Sequence, residues 1–247
     1  MQADIKQVKK QFQKSFETYD NNALVQKIMA DKLLVELAKI EKNFENVLEL
    51  GTGTAQLAQK FRQNFKYQTF IGNDLVEKSQ NYLKKYIPDA KFLCGNALKI
   101  KPNKKQDLII SNAMFQWFNN LDKAFEIFKQ ILEKDGILAF TTFSPNNFYQ
   151  IKELTGVSLK YKTKEEITDL LKNKGFELLF IEEFQKDLVF NNPLEVLAHI
   201  KHTGVNSINS NTWSIKEVKD FCEKYREKYN PITLTYSPIV VIAKLSE

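Results

Sequence analysis

The chain has 247 residues, of which 43% are hydrophobic and 12% aromatic, so it can bury a core of its own and is not an intrinsically disordered chain. Its net charge of +6 comes almost wholly from lysine and favours an acidic partner, although a lysine-rich surface that is merely solvated would have the same composition. Arg62 and Arg226 are the only arginines. This scarcity disfavours a protein that reads nucleic-acid bases, because such proteins rely on the guanidinium fork.

The amino-terminal residues and the cysteines indicate the compartment. Met1–Lys6 is charged and lacks the apolar core of a signal peptide, and no apolar run is long enough to span a bilayer. Cys94 and Cys222 are far apart and have no neighbours at metal-ligand spacing, so we interpret them as free thiols in a reducing compartment. These features predict a cytoplasmic protein without a metal site.

Apolar residues at helical spacing predict two helices ahead of the first strand, over 4–18 and 22–39. From residue 46 onward, short apolar runs alternate with helical patterns. The predicted strands are Val47–Leu50, Thr69–Gly72, Lys91–Cys94, Leu108–Ser111 and Ile137–Phe143, with helices near 55–64, 76–86 and 121–134. Strands separated by helices of this length are typical of βαβ units, so we predict an α/β fold with a mostly parallel, Rossmann-like sheet.

The second half of the chain opens with a capping box, in which Thr163 and Glu166 begin a helix that Gly175 ends. The predicted elements there are a helix over 163–173, a strand near 176–184, helices over 193–202 and 215–229, and a last strand Ile239–Ala243. A late pair of strands after a long insertion favours a sheet that is completed by an antiparallel hairpin at its edge.

Residues 47–55, Val-Leu-Glu-Leu-Gly-Thr-Gly-Thr-Ala, read as an apolar strand that runs directly into a Gly-x-Gly turn and then a helix. Gly51 and Gly53 allow a tight turn and a close approach of the backbone to a ligand. A dinucleotide would place its pyrophosphate at this helix, but Glu49 at the strand end would repel phosphate and attract a cation. S-Adenosylmethionine carries a sulfonium and an ammonium group, so the turn favours this cofactor.

Polar residues follow the next three strands. Asp74 ends the second strand, about 20 residues beyond the glycine turn, where an acidic side chain accepts hydrogen bonds from ribose hydroxyls. Asn96 follows the third strand and could contact an adenine edge or simply form a turn. After the fourth strand, Asn112 and Gln116 stand among aromatic residues where a substrate would meet the cofactor, and Met114 is expected in the core.

In this order the features resemble the class I methyltransferases, and more narrowly the malonyl-acyl-carrier-protein O-methyltransferase family. The positions that match beyond the glycine turn are Phe16 and Tyr19 ahead of Gln26, then 111–117, Phe140–Phe143, Lys201–Gly204 and Thr235–Tyr236. Together they cover nearly the whole chain. Two departures stand out: Ala55 occupies a position where many members have glycine, and Asn96 replaces a usual aspartate, which weakens the adenine assignment.

The resemblance implies methyl transfer from S-adenosylmethionine to the free carboxylate of malonyl-acyl carrier protein, or of malonyl-coenzyme A, in the synthesis of biotin. It implies no nucleic-acid or membrane partner. The cofactor residues that it implies are Gln26, Glu49, Gly51, Thr52, Gly53, Asp74, Leu75, Asn96, Ala97 and Asn112. A carboxylate is already ionised at neutral pH, so no general base is expected, and neither His199 nor His202 is assigned one.

On the substrate side, neutral donors suit an acceptor whose nucleophilicity must be kept. Tyr19, Gln116 and Trp117 are therefore expected to orient the carboxylate, and Lys201 to attract either that carboxylate or the carrier's prosthetic arm. The corresponding domains are an N-terminal helical cap over 1–40, a Rossmann-like core over 41–186, a helical substrate lid over 187–230 and a final core strand over 231–247.

Three alternatives remain open at this point. The enzyme could methylate another small carboxylic acid, such as aconitate, or a quinone, since such enzymes share the cofactor motifs. A nucleic-acid methyltransferase is suggested only by the basic pI, and Ser111–Met114 lacks the Asn/Asp-Pro-Pro-aromatic motif used on exocyclic amines. A non-catalytic binding module is disfavoured by the glycine turn and Asp74.

Overall fold

A computed structural model describes residues 4–203 and 213–246. The helices are α1 (Ile5–Asn22), α2 (Leu24–Ile40), α3 (Gln56–Asn64), α4 (Ser79–Tyr86), α5 (Leu121–Ile131), α6 (Tyr149–Thr155), α7 (Lys164–Asn173), α8 (Pro193–His202) and α9 (Ile215–Lys228). The strands are β1 (Asn43–Leu50), β2 (Lys66–Asp74), β3 (Lys91–Cys94), β4 (Gln106–Ser111), β5 (Leu132–Phe143), β6 (Phe176–Glu183), β7 (Lys186–Val189), β8 (Thr233–Tyr236) and β9 (Pro238–Leu245).

Seven strands form one sheet in the order β3-β2-β1-β4-β5-β9-β6. The first five pair in parallel, and β9 pairs antiparallel with both β5 and β6. The predicted fold class, a mostly parallel sheet with an antiparallel last strand, is therefore confirmed.

As expected, an antiparallel pair of late strands, β6 and β9, completes the sheet at its edge. Within this pair β9 lies inside, between β5 and β6, which leaves β6 at the edge of the sheet. The run from Pro238 to Ala243 is buried without interruption. A strand that is apolar along its whole length is most stable where other elements cover both of its faces and both of its edges. The reason is that each buried Val or Ile gains about 1.5–3 kcal/mol from leaving water.

The carboxyl-terminal segment over 231–247 contains the expected core strand and a second strand that was not expected. Two strands lie there, and β8 pairs with β7 in a separate two-stranded sheet, while β9 alone joins the core. Ser237 separates the two strands, and Pro238, which has no N–H to donate, begins β9. In the sequence, β7 precedes α8 and α9, and β8 follows them. That this region acts as a substrate lid remains a prediction.

Helices cover both faces of the core sheet. On one face α2, α3 and α4 pack through residues such as Leu37, Phe61 and Leu83, and on the other α5 and α7 pack through Phe125 and Leu171. The capping box predicted for α7 is present, with Thr163 and Glu166 bonded reciprocally. Among the described residues, none of the helices combines the length and the apolar character that crossing a membrane requires.

A third apolar cluster joins the appended elements to the core. It contains residues of α2, α6, α8, α9 and β8, including Met29, Ile151, Val196, Tyr225 and Tyr236. The helix α6 and the strands β7 and β8 were not predicted, because each is short and carries little periodicity of its own. Their packing places β8 and the end of α8 beside the carboxyl ends of the central strands.

Candidate active site

A large cavity lies at the carboxyl ends of the central strands, beneath α1. It holds about 1480 Å³ of empty space, counting its open mouth, which is ample for a nucleoside cofactor. The ten residues predicted from the sequence to bind the cofactor all line it: Gln26, Glu49, Gly51, Thr52, Gly53, Asp74, Leu75, Asn96, Ala97 and Asn112. Tyr19 and Trp117 line it too, whereas Gln116 lies outside this cavity's wall.

The glycine turn has the backbone conformation that glycine favours. Gly51 and Gly53 have φ values of +71° and +52°, and the Gly51 N–H donates to the Asn73 carbonyl over 2.8 Å. A Cβ built on Gly51 would lie 2.7 Å from Cγ of Met114. Met114, which the sequence suggested as core, is only partly buried and forms cavity wall above this turn. Gly51 is therefore required by backbone strain and by a neighbour in the turn after β4.

Glu49 presents a buried carboxyl group to the cavity. It is 1% exposed, and its Oε2 has no hydrogen-bond partner among the described residues. Burial, followed by the nearby negative charge of Asp74, raises the pKa of Glu49 to about 8. An unpartnered buried carboxyl is costly unless a cation meets it. The ammonium and sulfonium groups of S-adenosylmethionine fit this requirement.

Asp74 ends β2 on the other side of the turn. Its Oδ2 accepts from the Gly53 N–H and its Oδ1 from the Val76 N–H, both over 2.8 Å. Burial nevertheless raises the pKa of this carboxyl above its usual range. A carboxylate has about four acceptor positions, so these two bonds fix Asp74 and leave capacity for ribose hydroxyls.

The loop after β3 forms a side-chain turn. Asn96 Oδ1 accepts from the Leu98 N–H over 2.9 Å, and the Asn96 carbonyl accepts from the Lys99 N–H. Asn96 is thus a turn residue that also lines the cavity beside Ala97. Both readings allowed by the sequence are compatible with this geometry, and contact with an adenine remains a prediction.

Asn112 ties three elements together at the end of β4. Its Nδ2 donates to the Gln26 carbonyl of α2 over 2.9 Å, and its Oδ1 accepts from Thr141 of β5 over 2.6 Å. The following Ala113 has a left-handed backbone, with φ of +51°, and its N–H donates to the same threonine. This strained turn aims Met114 and Trp117 at the cavity, as strained backbone often does at functional sites. The side chain of Asn112 therefore has a structural task, and its predicted contact with the cofactor stays untested.

The amino-terminal helix is fastened over the glycine turn by one carboxylate. Asp20 Oδ1 accepts from Thr54 Oγ1 over 2.6 Å and also from Gln56 of α3. The preceding Tyr19 is partly exposed and lines the large cavity. Enclosure, together with the charges of Asp20 and Asp74, raises the pKa of Tyr19 well above its usual value, so its hydroxyl stays protonated and can donate.

A second, much smaller cavity adjoins the first, with about 350 Å³ of empty space when its opening to solvent is counted, and we call it the acyl cavity. It shares Phe12, Tyr19, Gln26, Ala113 and Trp117 with the large cavity. Its own wall adds Gln116, Phe143, Asn147, Phe148, Leu159, Tyr161, Thr203 and Tyr236. Within the described residues, no formally charged side chain lines it. The cavity therefore offers neutral hydrogen-bonding groups set in an apolar wall.

Several polar atoms at the acyl cavity have no partner within the described residues. The indole Nε1 of Trp117 and the amide oxygens of Gln26 and Gln116 are all buried without a hydrogen bond. The Gln116 Nε2 donates to the Ala113 carbonyl over 2.6 Å, which orients its oxygen. Unsatisfied buried polar atoms are rare, and such a cluster is typical of a ligand site.

The placement of Lys201 does not support the contact expected of it. This lysine is exposed on α8 and lines neither cavity, because the helix turns Val196, His199 and Ile200 inward. Gly204, which closed the matching segment, lies outside the described residues.

Asn147, Tyr161 and Thr203 line the acyl cavity but were not singled out from the sequence. Asn147 donates to the Tyr161 hydroxyl over 3.2 Å, and burial raises the pKa of Tyr161 to about 12. Tyr161 lies between helices, in a segment without periodicity, so no sequence signal identified it. Tyr236 had been noted only through the family resemblance.

Comparison with known proteins agrees with this geometry. A family model described as a methyltransferase domain matches residues 22–180. The malonyl-acyl-carrier-protein O-methyltransferase of Chlorobium phaeovibrioides is 34% identical over 97% of this chain and 96% of its own length. Those of Calditerrivibrio nitroreducens and Haemophilus influenzae are 35% and 32% identical, over 95% and 98% of this chain and 94% and 95% of their own lengths.

Solved structures share the fold at lower identity. A methyltransferase of Bacillus halodurans superposes with a TM-score of 0.64 and 17% identity, over 87% of this chain and 97% of that one. A Thermotoga maritima methyltransferase has a TM-score of 0.58 and 15% identity, over 97% of this chain and 100% of that one. The fold, the cofactor cavity and the full-length relatives agree: this chain belongs to the S-adenosylmethionine-dependent malonyl-acyl-carrier-protein O-methyltransferase family.

Proposed function

We propose that this enzyme methylates the free carboxylate of a malonyl group carried as a thioester on acyl carrier protein. The product would be the malonyl methyl ester, an early intermediate in biotin synthesis. The observation that carries the proposal is the small, charge-free acyl cavity beside the cofactor cavity, with unpartnered polar atoms at their shared wall. The full-length relatives supply the substrate class.

The reaction requires little proton transfer by the protein. A malonyl carboxylate is ionised at neutral pH and attacks without a base. S-Adenosylmethionine supplies the electrophilic methyl group. The protein must hold the carboxylate in line with that group and exclude water. Tyr19 and Trp117 line both cavities, so their donors are placed to orient the acceptor at the junction.

Neutral donors have an advantage over a lysine or arginine here. A cation would bind the carboxylate tightly but would also stabilise its charge before transfer, which lowers its nucleophilicity. Hydroxyl and indole donors give weaker, directional contacts. The apolar wall, with Phe12 and Phe143, keeps water out and strengthens those contacts.

On the cofactor side, the roles follow from the donors present. Glu49 would meet the cationic amino-acid end, and Asp74 would accept from the ribose hydroxyls. The adenine would lie near Leu75, Asn96 and Ala97, which line the far part of the cavity wall. These assignments rest on the chemistry of each group and are open to direct test.

We place the carrier-protein dock on the part of α1 from Lys6 to Lys14. Lys6, Lys9, Lys10 and Lys14 lie there, Lys9 lines the large cavity, and none of the four forms an ion pair within the described residues. Unneutralised positive charge at the mouth of a site attracts an acidic carrier and guides its thioester arm.

The test is to incubate the enzyme with labelled S-adenosylmethionine and malonyl-carrier protein, and then to weigh the carrier. We expect the intact carrier to gain the mass of one CH₂ group. Acetyl-carrier protein, which lacks the carboxylate, serves as the matched control and should gain none. Methylation of free malonate or aconitate in preference to the carrier would replace the proposal with a small-acid methyltransferase.

A further inference from the structure

A histidine and a tyrosine form a buried pair at the acyl cavity. His199 Nε2 lies 2.7 Å from the Tyr236 hydroxyl oxygen. His199 is 8% exposed and Tyr236 is 1% exposed, and they come from α8 and β8, which are distant in sequence. Neither residue takes part in the roles described above, although Tyr236 lines the acyl cavity.

The surroundings of the pair keep it neutral. Burial lowers the pKa of His199 to about 4, with a smaller contribution from His202, so the imidazole carries no charge at neutral pH. Burial likewise holds the pKa of Tyr236 far above its usual value. A neutral imidazole has one N–H and one acceptor nitrogen, so the hydrogen bond can run in either direction.

The direction decides what the cavity can bind. If Tyr236 donates to His199, the tyrosine shows its lone pairs to the cavity and repels an anion. If His199 donates from Nε2, the tyrosine keeps its own proton for a ligand. The cavity contains no formal charge within the described residues, so an anion there depends on such neutral donors.

The geometry points to Tyr236 as a specificity residue that donates to the malonyl carboxylate, with His199, in its Nε2–H form, as the positioning residue that turns the hydroxyl into the acyl cavity. This inference rests on the proposed function. It adds to Tyr19 and Trp117 a third donor, from the appended elements rather than from the core. Malonyl would be distinguished from an uncharged acyl group by this contact.

The packing allows a clean substitution. The Tyr236 ring makes an edge contact with Phe148, with centroids 4.6 Å apart, and lies 6.0 Å from the ring of Phe143. Tyr236→Phe keeps these contacts and removes only the hydroxyl. His199→Gln keeps a donor near the Nε2 position, whereas His199→Leu removes it.

The experiment measures binding rather than turnover. Dissociation constants of malonyl-coenzyme A and acetyl-coenzyme A are measured by calorimetry on enzyme saturated with S-adenosylhomocysteine. The wild type should prefer malonyl, and Tyr236→Phe should lower that preference about tenfold or more, the worth of a hydrogen bond to a charged group. Affinity for S-adenosylhomocysteine should not change, whereas the melting temperature should fall modestly because the buried His199 loses its partner.

The role of His199 is tested by combining its substitution with Tyr236→Phe. His199→Leu should lose the same preference, His199→Gln should retain it, and the double variant Tyr236→Phe with His199→Leu should match Tyr236→Phe alone. Because the chain has 2 histidines, ¹⁵N labelling reads the tautomer directly, and a protonated Nε2 is expected. This spectrum decides the point even if His199→Leu does not fold.

Three different results would each overturn a different claim. A wild type with no preference for malonyl over acetyl would overturn the proposed function, and this inference with it. A wild type that prefers malonyl, with a Tyr236→Phe variant that keeps the preference, would overturn the role of Tyr236 alone. A protonated Nδ1 with an unprotonated Nε2 would overturn the role of His199.

Discussion

At the scale of single residues, Glu49 couples cofactor binding to protonation. Its pKa is raised from 4.5 to about 8 in the folded protein, so the folded state binds this proton more tightly than the unfolded state. Without cofactor, stability therefore falls as pH rises from 4.5 to about 8. Above pH 8 the carboxylate is buried and charged. A bound cation removes this cost, which is the physical reason that the residue can be tolerated.

We predict that Glu49→Gln abolishes cofactor binding but stabilises the free protein at high pH. The amide is the size of the carboxyl and carries no charge to bury. The gain in melting temperature should be small at pH 5 and larger at pH 8.5, which calorimetric scans on both proteins would measure. The same gain at both values would show that ionisation of Glu49 is not responsible.

A second prediction concerns Gly51, on which a Cβ would meet Met114. Gly51→Ala should greatly weaken cofactor binding, because the residue has φ of +71° and Met114 would be displaced. Adding Met114→Ala should restore part of the affinity by removing the clash, while the backbone strain of about 1–2 kcal/mol remains. Calorimetry on both variants measures the two contributions; no recovery in the double variant would exclude Met114 as the obstacle.

A third prediction concerns the absence of a base. With cofactor saturating, the single-turnover rate of methyl transfer should be nearly flat from about pH 6 to 9, since the acceptor is already ionised. His199→Gln and His202→Gln should retain most of this rate. A quinone acceptor would need deprotonation, and a steep rise with pH that either histidine change abolishes would contradict carboxyl methylation.

At the scale of elements, α1 forms the roof of the site and Asp20 holds it. We predict that Asp20→Ala weakens cofactor binding about tenfold and speeds hydrogen exchange in α1, with little change in global stability, because charge-assisted bonds to Thr54 and Gln56 are lost. Glu17→Ala is the matched control: Glu17 pairs with Lys78 at an exposed position, so its loss should change little. Equal effects of the two changes would argue against a roof held by Asp20.

The elements themselves were largely predictable where local signals are strong. The first five strands appear where the sequence placed them, and each extends or matches its predicted range, since apolar runs between helical patterns depend on nearby residues alone. The capping box of α7 was predictable for the same reason. The helix α6 and the strands β7 and β8 were missed, because elements of this length form only where other elements pack against them.

At the scale of the whole molecule, the lysine excess gives a prediction about the carrier. Reversing Lys6 and Lys10 to Glu should raise the Michaelis constant for malonyl-carrier protein and reduce its dependence on salt, with less effect on malonyl-coenzyme A. Both lysines are exposed on α1.

Reversal of Lys164 and Lys172, on α7 and away from both cavities, is the control with the same change of charge. Initial rates at low and high salt, on both substrates, provide the measurement. If the α7 reversal has the same effect as the α1 reversal, net charge rather than a dock on α1 is responsible.

The sequence by itself determined the parallel core, the glycine turn with Glu49 and Asp74, and the set of residues that now line the cofactor cavity. Apart from Gln26, which lies on α2 and was implied by the family resemblance, these residues depend on short-range rules, since they stand at or just after the carboxyl ends of strands that their own neighbours define. The tertiary structure decided the insertion of β9 between β5 and β6, the outward position of Lys201, and the pairing of His199 with Tyr236. Those depend on which distant segments pack together, and periodicity within one segment carries no information about its partner.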